Sequence, residues 1–189
     1  FIKNAAKQLG GIDTLINNAG IGGPTAPIEN ISPEDWSKCI DVCLSSQFNC
    51  IRSAVPFLKE SYNPSIINLS SAAGRMGFSM RAPYAAAKWG VIGLTKSLAI
   101  ELGDHNIRVN AILPGIVAGA RQEDVLKNKA RIKNISFEQV EAEALSYSSI
   151  KKYVSATDVA NQIVFLASEK GNVISGQAIS VCGDLKMLA

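Results

Sequence analysis

Short apolar runs alternate along the chain with longer segments in which apolar residues recur every three or four positions. Short apolar runs bounded by Gly, Pro, Asn or Ser are typical of buried strands, and the longer period is typical of helices that cover them. The four predicted strands are IDTLINNAG (12–20), SIINLSS (65–71), RVNAILPG (108–115) and GQAISVCG (176–183).

The segments between these runs predict helices. Ser32 precedes Pro33, and Asp35 stands at the third helical position, which is typical of a helix start. This helix is expected to continue to the region of Glu60. Thr157 is the predicted cap of the last helix. The other helices are predicted at 1–10, 83–102, 121–133 and 136–147.

Buried strands that alternate with amphipathic helices indicate βαβ units and a parallel sheet covered on both faces. The predicted fold class is therefore α/β, a doubly wound, Rossmann-like sheet in a single domain spanning 1–189. The polar segment 116–155 is expected to form a substrate-binding lid. Because the chain opens part-way into a helix, FIKNAAKQLG without a Met, we expect further β-α units to precede it.

Composition argues against several functional classes. The net charge is +3, and the basic residues are scattered; the densest group, at 127–133, is interpreted as a solvated helix face, not a nucleic-acid patch. No apolar run approaches the ~18 residues that span a bilayer. Four cysteines without C-x-x-C spacing and a single histidine, His105 in a polar turn, offer no zinc site. We expect a cytoplasmic protein that binds a small molecule, and no metal, membrane or nucleic acid.

Three cysteines fall on one face of the long predicted helix. Their spacing places them with an alanine and two aromatic residues, so they are interpreted as small buried hydrophobes. The predicted face consists of Trp36, Cys39, Cys43, Cys50, Ala54 and Phe57.

Candidate chemistry appears in the stretch PYAAAKWG (83–90). Tyr84 and Lys88 are four residues apart, so they share one helix face. An ammonium beside a phenol stabilises the phenolate, and such a phenol can exchange protons during catalysis. The pattern Y-x-x-x-K is weak by itself, because an amphipathic helix with a solvated lysine produces it too.

The ends of the predicted strands strengthen this interpretation. Ligands of open parallel sheets bind beyond the carboxyl ends of the strands. These ends carry Asn18-Ala19-Gly20, Ser71 and Pro114-Gly115, and the Tyr84 helix follows the second of them. The polar groups of interest are therefore expected at one edge of the sheet.

Four motifs in this order resemble the short-chain dehydrogenases/reductases: NNAG (17–20), Ser71, YAAAK (84–88) and IRVNAILPG (107–115). Ser71 precedes Tyr84 by 13 residues, as in that family, and ISGQAISVCGD (174–184) is similar to the family's last strand. The resemblance covers essentially the whole chain and implies an oxidoreductase that transfers hydride between NAD or NADP and a secondary alcohol or ketone.

The resemblance also implies roles for individual residues. The catalytic group would be Ser71, Tyr84 and Lys88, with Tyr84 as the proton donor and Ser71 as a hydrogen-bond donor to the substrate oxygen. Lys88 would also hold the nicotinamide ribose. The expected cofactor-binding residues are Asn18, Ala19, Gly20, Tyr84, Lys88, Pro114, Gly115 and Val117.

Three departures from the family pattern are visible. The T-G-x-x-x-G-x-G phosphate turn is absent, and with it the residue that selects NAD or NADP. Cys43, in DVC, stands where the family usually has Asn, and Gly119 stands where it usually has Thr. We interpret Cys43 as a neutral replacement in a cysteine-lined helix.

Two other functions remain open at this level. A non-catalytic homologue that binds a partner would explain the departures, but the intact Ser71, Tyr84 and Lys88 set opposes it. A sugar-nucleotide epimerase or dehydratase also uses Y-x-x-x-K, but NNAG and IRVNAILPG speak against it. Family members commonly pair two helices between subunits, which predicts a homotetramer or homodimer; Ala85, Ala86, Ala87, Gly90 and Gly93 would allow close approach.

Overall fold

Four parallel strands form one sheet in which the spatial order follows the chain order. A computed structural model describes residues 1–186 of the chain. All four predicted strands are confirmed, although each is shorter than its apolar run because the terminal residues turn out of the ladder. The strands are β1 (Thr14–Asn17), β2 (Ser65–Leu69), β3 (Arg108–Pro114) and β4 (Ala178–Val181).

Helices connect the strands in the order that the polar and apolar pattern predicts. Gly10 ends the first of them in the left-handed region, at φ 78°, where a residue without a Cβ is favoured. The α-helices of the described residues are α1 (Ile2–Leu9), α2 (Pro33–Ile40), α3 (Ser46–Leu58), α4 (Ala82–Glu101), α5 (Ala120–Lys133), α6 (Phe137–Ser146) and α7 (Ala156–Ala167).

Both faces of the sheet are covered. Ile66 of β2 lies in a buried cluster with Ile51 and Leu58 of α3, whereas the next residue, Ile67, packs with Leu166 of α7. Successive strand residues point to opposite faces, so this split places α3 and α7 on opposite sides of the sheet. The predicted fold class, a doubly wound parallel α/β sheet, is confirmed.

The long helix predicted from Ser32 to the region of Glu60 is interrupted by a π-helical turn, Asp41–Ser45, between α2 and α3. A π turn holds more residues than an α turn, and it rotates the residues that follow it. The predicted face is therefore only partly buried. Cys39, Cys43 and Ala54 are buried, Cys50 and Phe57 are half-buried, and Trp36 is exposed.

Hydroxyl caps fix where the helices begin. Ser32 accepts from the Asp35 backbone N–H at 3.0 Å, as predicted. The prediction of Thr157 as the last cap is wrong. Ser155 caps α7 instead, accepting from the Asp158 N–H while the Asp158 carboxylate accepts from the Ser155 N–H. This reciprocal capping box satisfies two backbone donors and so starts the helix two residues earlier.

A line of buried polar side chains ties the sheet to α4. The Asn17 Nδ2 donates to Asn68 Oδ1 at 2.8 Å, and the Asn68 Nδ2 donates to Thr95 Oγ1 at 3.0 Å. Thr95 in turn donates to the Val91 carbonyl. Buried polar groups of this kind are costly unless they are paired, so the line fixes the position of α4 along β1 and β2.

A tight turn follows β2 and packs directly on α4. Its last residue, Gly74, has no room for a side chain: a Cβ there would lie 2.5 Å from Ser70 Oγ and 2.8 Å from the Lys88 carbonyl oxygen. Ser70 Oγ donates to that same carbonyl at 2.7 Å. The close approach of the turn to α4 therefore depends on glycine at this position.

We expect Gly74→Ala to reduce the free energy of unfolding by about 1–3 kcal/mol, because the added methyl overpacks the turn and disrupts the Ser70 hydrogen bond. Gly77→Ala is the matched control, since a Cβ at Gly77 meets nothing within 4 Å. Urea unfolding of the two variants and the parent measures the effect. Equal stability of both variants would show that the turn does not rest on α4 as described.

Candidate active site

A cavity of about 890 Å³ opens at the carboxyl edge of the sheet. Its walls come from the residues after β1, β2 and β3, the start of α4, and the inner faces of α5 and α6. Parallel strands meet at this edge, so groups distant in sequence converge there. Ser71, Tyr84 and Lys88 all line the cavity, as the motif spacing predicts.

Lys88 is buried, with 4% of its surface exposed. Its ammonium donates to the Leu69 carbonyl, at the end of β2, at 2.7 Å, and it lies 5.7 Å from the centre of the Tyr84 ring. Burial lowers the pKa of Lys88, and the nearby Cys43 sulfur opposes that shift. The ammonium is therefore held between the strand end and the phenol.

The adjacent residues Ser70 and Ser71 have different roles. Ser70 is buried and donates to the Lys88 carbonyl, so it locks α4 to the end of β2. Ser71 lines the cavity, and its Oγ accepts from the Ala73 backbone N–H at 3.2 Å. Because that hydrogen bond uses an oxygen lone pair, the Ser71 hydroxyl proton stays available for an acceptor in the cavity.

Most of the predicted cofactor-binding residues lie on the same cavity. Its lining includes Asn18, Gly20, Pro114, Gly115 and Val117, together with Tyr84 and Lys88. Ala19 is exposed and is not among the lining residues. Gly20 borders the Lys88 ammonium directly: a Cβ at Gly20 would lie 3.7 Å from Lys88 Nζ, in ordinary van der Waals contact.

Two of these motif residues also have structural tasks. Asn17 bonds the Asn68 side chain, so of the two asparagines in NNAG only Asn18 faces the cavity. A Cβ at Gly115 would lie 2.7 Å from Cys182 Cα, which explains a glycine beside β4 on packing grounds. Its presence in the motif therefore does not require a ligand.

Comparison with known proteins places this geometry in a family. A family model described as enoyl-(acyl carrier protein) reductase matches residues 1–184. The chain is 37% identical over 187 residues to 3-oxoacyl-(acyl-carrier-protein) reductase FabG of Staphylococcus aureus, covering 99% of this chain and 71% of that protein. The chain belongs to the short-chain dehydrogenase/reductase family. The predicted resemblance is confirmed.

Other relatives vary in what they act on. D-beta-hydroxybutyrate dehydrogenase of Rhizobium meliloti is 37% identical over 179 residues, covering 94% of this chain and 69% of that protein. An actinorhodin polyketide ketoreductase, solved with NADPH, superposes with a TM-score of 0.90 at 29% identity over 96% of this chain and 70% of that one. The chain thus spans about 70% of the length of these family members.

Cys43, at the position of the family's usual Asn, is more than a small hydrophobe. As a thiol, its Sγ donates to the Ile21 carbonyl at 3.3 Å, and it also accepts from the Ile21 N–H at 3.4 Å. It therefore holds the loop after β1 in place. The interpretation of Cys43 as an inert replacement overlooked these contacts, because the sequence does not show which backbone groups a helix side chain meets.

Cys39 and Cys43 are neighbouring thiols in one buried cluster. The neighbouring Cys39 thiol, followed by the Ile21 backbone and the charge of Lys88, lowers the pKa of Cys43 against the effect of burial. The interaction with Cys43, together with burial, raises the pKa of Cys39. Cys43 is thus the more acidic of the two thiols, and it lies close to Lys88.

Gly119, at the position of the family's usual Thr, lines the cavity at the start of α5. Its φ of 141° lies in the range that favours glycine. A threonine would be strained in this backbone conformation, which explains a glycine at this position.

The segment 116–155 leaves the sheet and returns to its starting point. The Ala118 N–H donates to the Val154 carbonyl at 2.9 Å, and the Val154 N–H donates to the Ile116 carbonyl at 2.9 Å. Between these paired ends, α5 and α6 pack on each other through a buried cluster centred on Leu126 and Val140. Much of the side of this segment that faces the cavity is apolar, including Val125, Leu126, Ile132, Val140 and Ala144.

Sequence reasoning missed two polar contributors to the cavity. Arg81 lies one turn before Tyr84 and is buried, with 3% of its surface exposed. Lys129, which was interpreted as part of a solvated helix face, is half-buried and lines the cavity. The i, i+3 spacing of Arg81 and Tyr84 was the available signal for the first.

Within residues 1–186, no group of three or more His, Cys, Asp or Glu side chains is placed to hold a metal ion. None of the helices in this range combines the length and the apolar character needed to cross a bilayer. His105 ends a short turn, Gly103–His105, and is not among the cavity residues.

Proposed function

We propose that this protein is an NAD(P)-dependent oxidoreductase that interconverts a secondary alcohol and a ketone, with Ser71, Tyr84 and Lys88 as its catalytic residues. The observation that carries the proposal is the convergence of a hydroxyl, a phenol and a buried ammonium on one cavity wall. Family membership supports the oxidoreductase activity, because FabG and D-beta-hydroxybutyrate dehydrogenase are named for reactions of this class.

The residues present fit the nicotinamide end of a dinucleotide. The Lys88 ammonium has three N–H donors, of which the described structure uses one, on the Leu69 carbonyl. Lys88 and Gly20 both line the cavity, so the two remaining donors would bind ribose hydroxyls there. Lys88, Asn18, Gly20, Pro114, Gly115 and Val117 would hold NAD or NADP, with Tyr84 beside them. When bound, the cofactor supplies the hydride.

The protein's own residues manage the proton and the developing charge. During reduction, Tyr84 donates its phenolic proton to the carbonyl oxygen, and in oxidation it accepts the proton of the alcohol. Ser71 donates a hydrogen bond to the same oxygen as negative charge develops on it. Lys88 stabilises the phenolate that remains after the proton has left, because its ammonium is buried near the ring.

The segment 116–155 is proposed as the substrate lid. Its ends are held together by backbone hydrogen bonds at Ala118 and Val154, and its apolar inner face borders the cavity. Closure of such a segment would exclude water from the reacting groups. Most of the charged residues of this segment lie outside the cavity lining, but Arg121, Lys129, Lys133 and Glu143 belong to it.

We also propose that the protein assembles as a homotetramer and is located in the cytoplasm. Phe48 of α3 and Trp89 of α4 are half-exposed, at 50% and 52%, and Phe165 of α7 is 40% exposed, so the surface of each helix carries a large apolar side chain. The four cysteines are free, which suits a reducing compartment. Sedimentation velocity of the complete natural protein should show a species of four subunit masses; a monomer would contradict the assembly.

Tyr84→Phe tests the catalytic assignment. We expect it to lower kcat by about 10²–10⁴-fold, because the phenolic proton is lost while the ring remains. Turnover is followed by NAD(P)H absorbance with the carbonyl compound that reacts fastest in a screen, and nucleotide binding is followed by fluorescence. The nucleotide affinity should change little.

Tyr62→Phe is the matched control, since Tyr62 is 93% exposed and outside the cavity. It should leave both kcat and nucleotide affinity unchanged. A Tyr84→Phe enzyme with the rate of its parent would remove Tyr84 from the chemistry and favour a different proton donor.

A further inference from the structure

The cavity carries an excess of positive charge beyond what the proposed reaction uses. Five of its lining residues are cationic, and Glu143 is its single acidic one. Glu143 is already paired, because its carboxylate lies 2.7 Å from Lys133 Nζ. Within residues 1–186, Arg81, Lys88, Arg121 and Lys129 have no carboxylate at ion-pair distance.

Arg81 is the most constrained of these cations. One of its terminal nitrogens donates to the Gly22 carbonyl, and its guanidinium lies 5.1 Å from the Tyr84 ring centre and 5.4 Å from that of Phe78. Its Nε, however, is buried without a hydrogen-bond partner. Burial lowers the pKa of Arg81, which reflects the cost of a charge removed from water.

A purely structural role leaves part of this arrangement unexplained. To hold the loop at Gly22 against α4, the side chain needs one donor and the stacking of its plane on aromatic rings. It does not need a guanidinium at 3% exposure whose Nε has no acceptor and whose charge has no counter-ion. Uncompensated buried charge is costly, so a structural arginine is usually paired with an acid.

Lys129 adds a second cation at the same place. Its Nζ lies 4.7 Å from the centre of the Phe78 ring, the ring that Arg81 also approaches. Burial lowers the pKa of Lys129, and the charges of Arg81 and Lys133 lower it further. Two cations from α4 and α5 thus share one aromatic side chain, and an anion between them would relieve their repulsion.

The position of this pair connects it with the reacting groups. Arg81 stands three residues before Tyr84 at the start of α4, so both side chains serve the same end of the cavity. Guanidinium groups bind carboxylate and phosphate oxygens through paired, charge-assisted hydrogen bonds.

We infer that the substrate of this enzyme carries an oxyanion, a carboxylate or a phosphate, close to its reacting carbonyl, and that Arg81 with Lys129 binds it. The inference rests on the proposed function, and it narrows the substrate class to short oxo or hydroxy acids and sugar phosphates. The apolar residues of α5 and α6 would contact the remainder of the substrate.

Paired probes separate the two sources of the oxyanion. Acetoacetate is compared with its neutral methyl ester, and dihydroxyacetone phosphate with dihydroxyacetone, using the complete natural protein. Binding of each compound is measured by calorimetry, both with nucleotide-free protein and with nucleotide-loaded protein. The value of kcat/KM is measured for every compound that is reduced. We expect one charged compound to bind at least about 10-fold more tightly than its neutral partner.

Arg81→Gln should abolish the preference for the charged compound. Its KM for that compound should rise by about 10- to 100-fold, whereas kcat should change much less. Arg81→Lys should retain part of the preference, because the charge remains while the paired donors are lost. Lys129→Gln should weaken the preference for the charged compound. Because Lys129 is only half-buried, this substitution is less disruptive to folding than the replacement of a buried arginine. Lys127→Gln is the matched control, since Lys127 is exposed and pairs with Glu123 outside this cavity.

Nucleotide titration distinguishes the possible failures. If the parent protein binds neither NADH nor NADPH, the proposed function fails, and this inference fails with it. If it binds nucleotide but treats charged and neutral partners alike, or if Arg81→Gln keeps the preference, only the inference is overturned. A loss of NADPH affinity in Arg81→Gln, with the compound preference intact, would assign Arg81 to the cofactor instead and also overturn it.

Discussion

The site depends on one buried ammonium. Lys88 is placed inside the protein by the helix that also carries Tyr84, and its charge is met by the Leu69 carbonyl at the end of β2. A buried lysine without such a partner would be expensive, so the contact fixes the distance between α4 and the strand end. The Ser70 bond to the Lys88 carbonyl reinforces it from the opposite direction.

The remaining geometry follows from this contact. With α4 fixed on β2, the turn after the strand can approach only through Gly74, and that turn orients Ser71 through the Ala73 N–H. On the other side, Cys43 secures the loop after β1 close to Lys88. Three separate backbone segments are thereby brought around one ammonium, which is how a parallel sheet edge becomes a site.

The sequence was sufficient to predict the architecture and the residues that converge on the cavity. The strands β1 to β4 are short, apolar and bounded by turn residues, so their number and order could be predicted. The convergence of Ser71, Tyr84 and Lys88 could be predicted because the motif spacing puts Ser71 just after a strand and the other two in the first two turns of the next helix. Ala19 was included with its neighbours in NNAG, yet it is exposed and does not line the cavity, because a motif does not show which way each of its side chains points.

What escaped prediction depends on long-range contacts. The π turn at Asp41–Ser45 changes the face of a helix without any Gly or Pro at that point. The hydrogen bonds of Cys43 and the burial of Arg81 join segments more than 20 residues apart, through Ile21 and Gly22. The cap at Ser155 was missed for a local reason, because Ser155 and Thr157 are both good capping residues.

The most direct measurement is a fluorescence titration of the complete natural protein with NADH and NADPH, beside Lys88→Met and Lys96→Met. Lys96 lies on the same helix but is exposed, so it controls for loss of charge on α4. We expect the parent and Lys96→Met to bind a nucleotide equally, and Lys88→Met to bind it about 10- to 100-fold more weakly. Equal binding by Lys88→Met, or no binding by the parent, would contradict the central role of the buried ammonium.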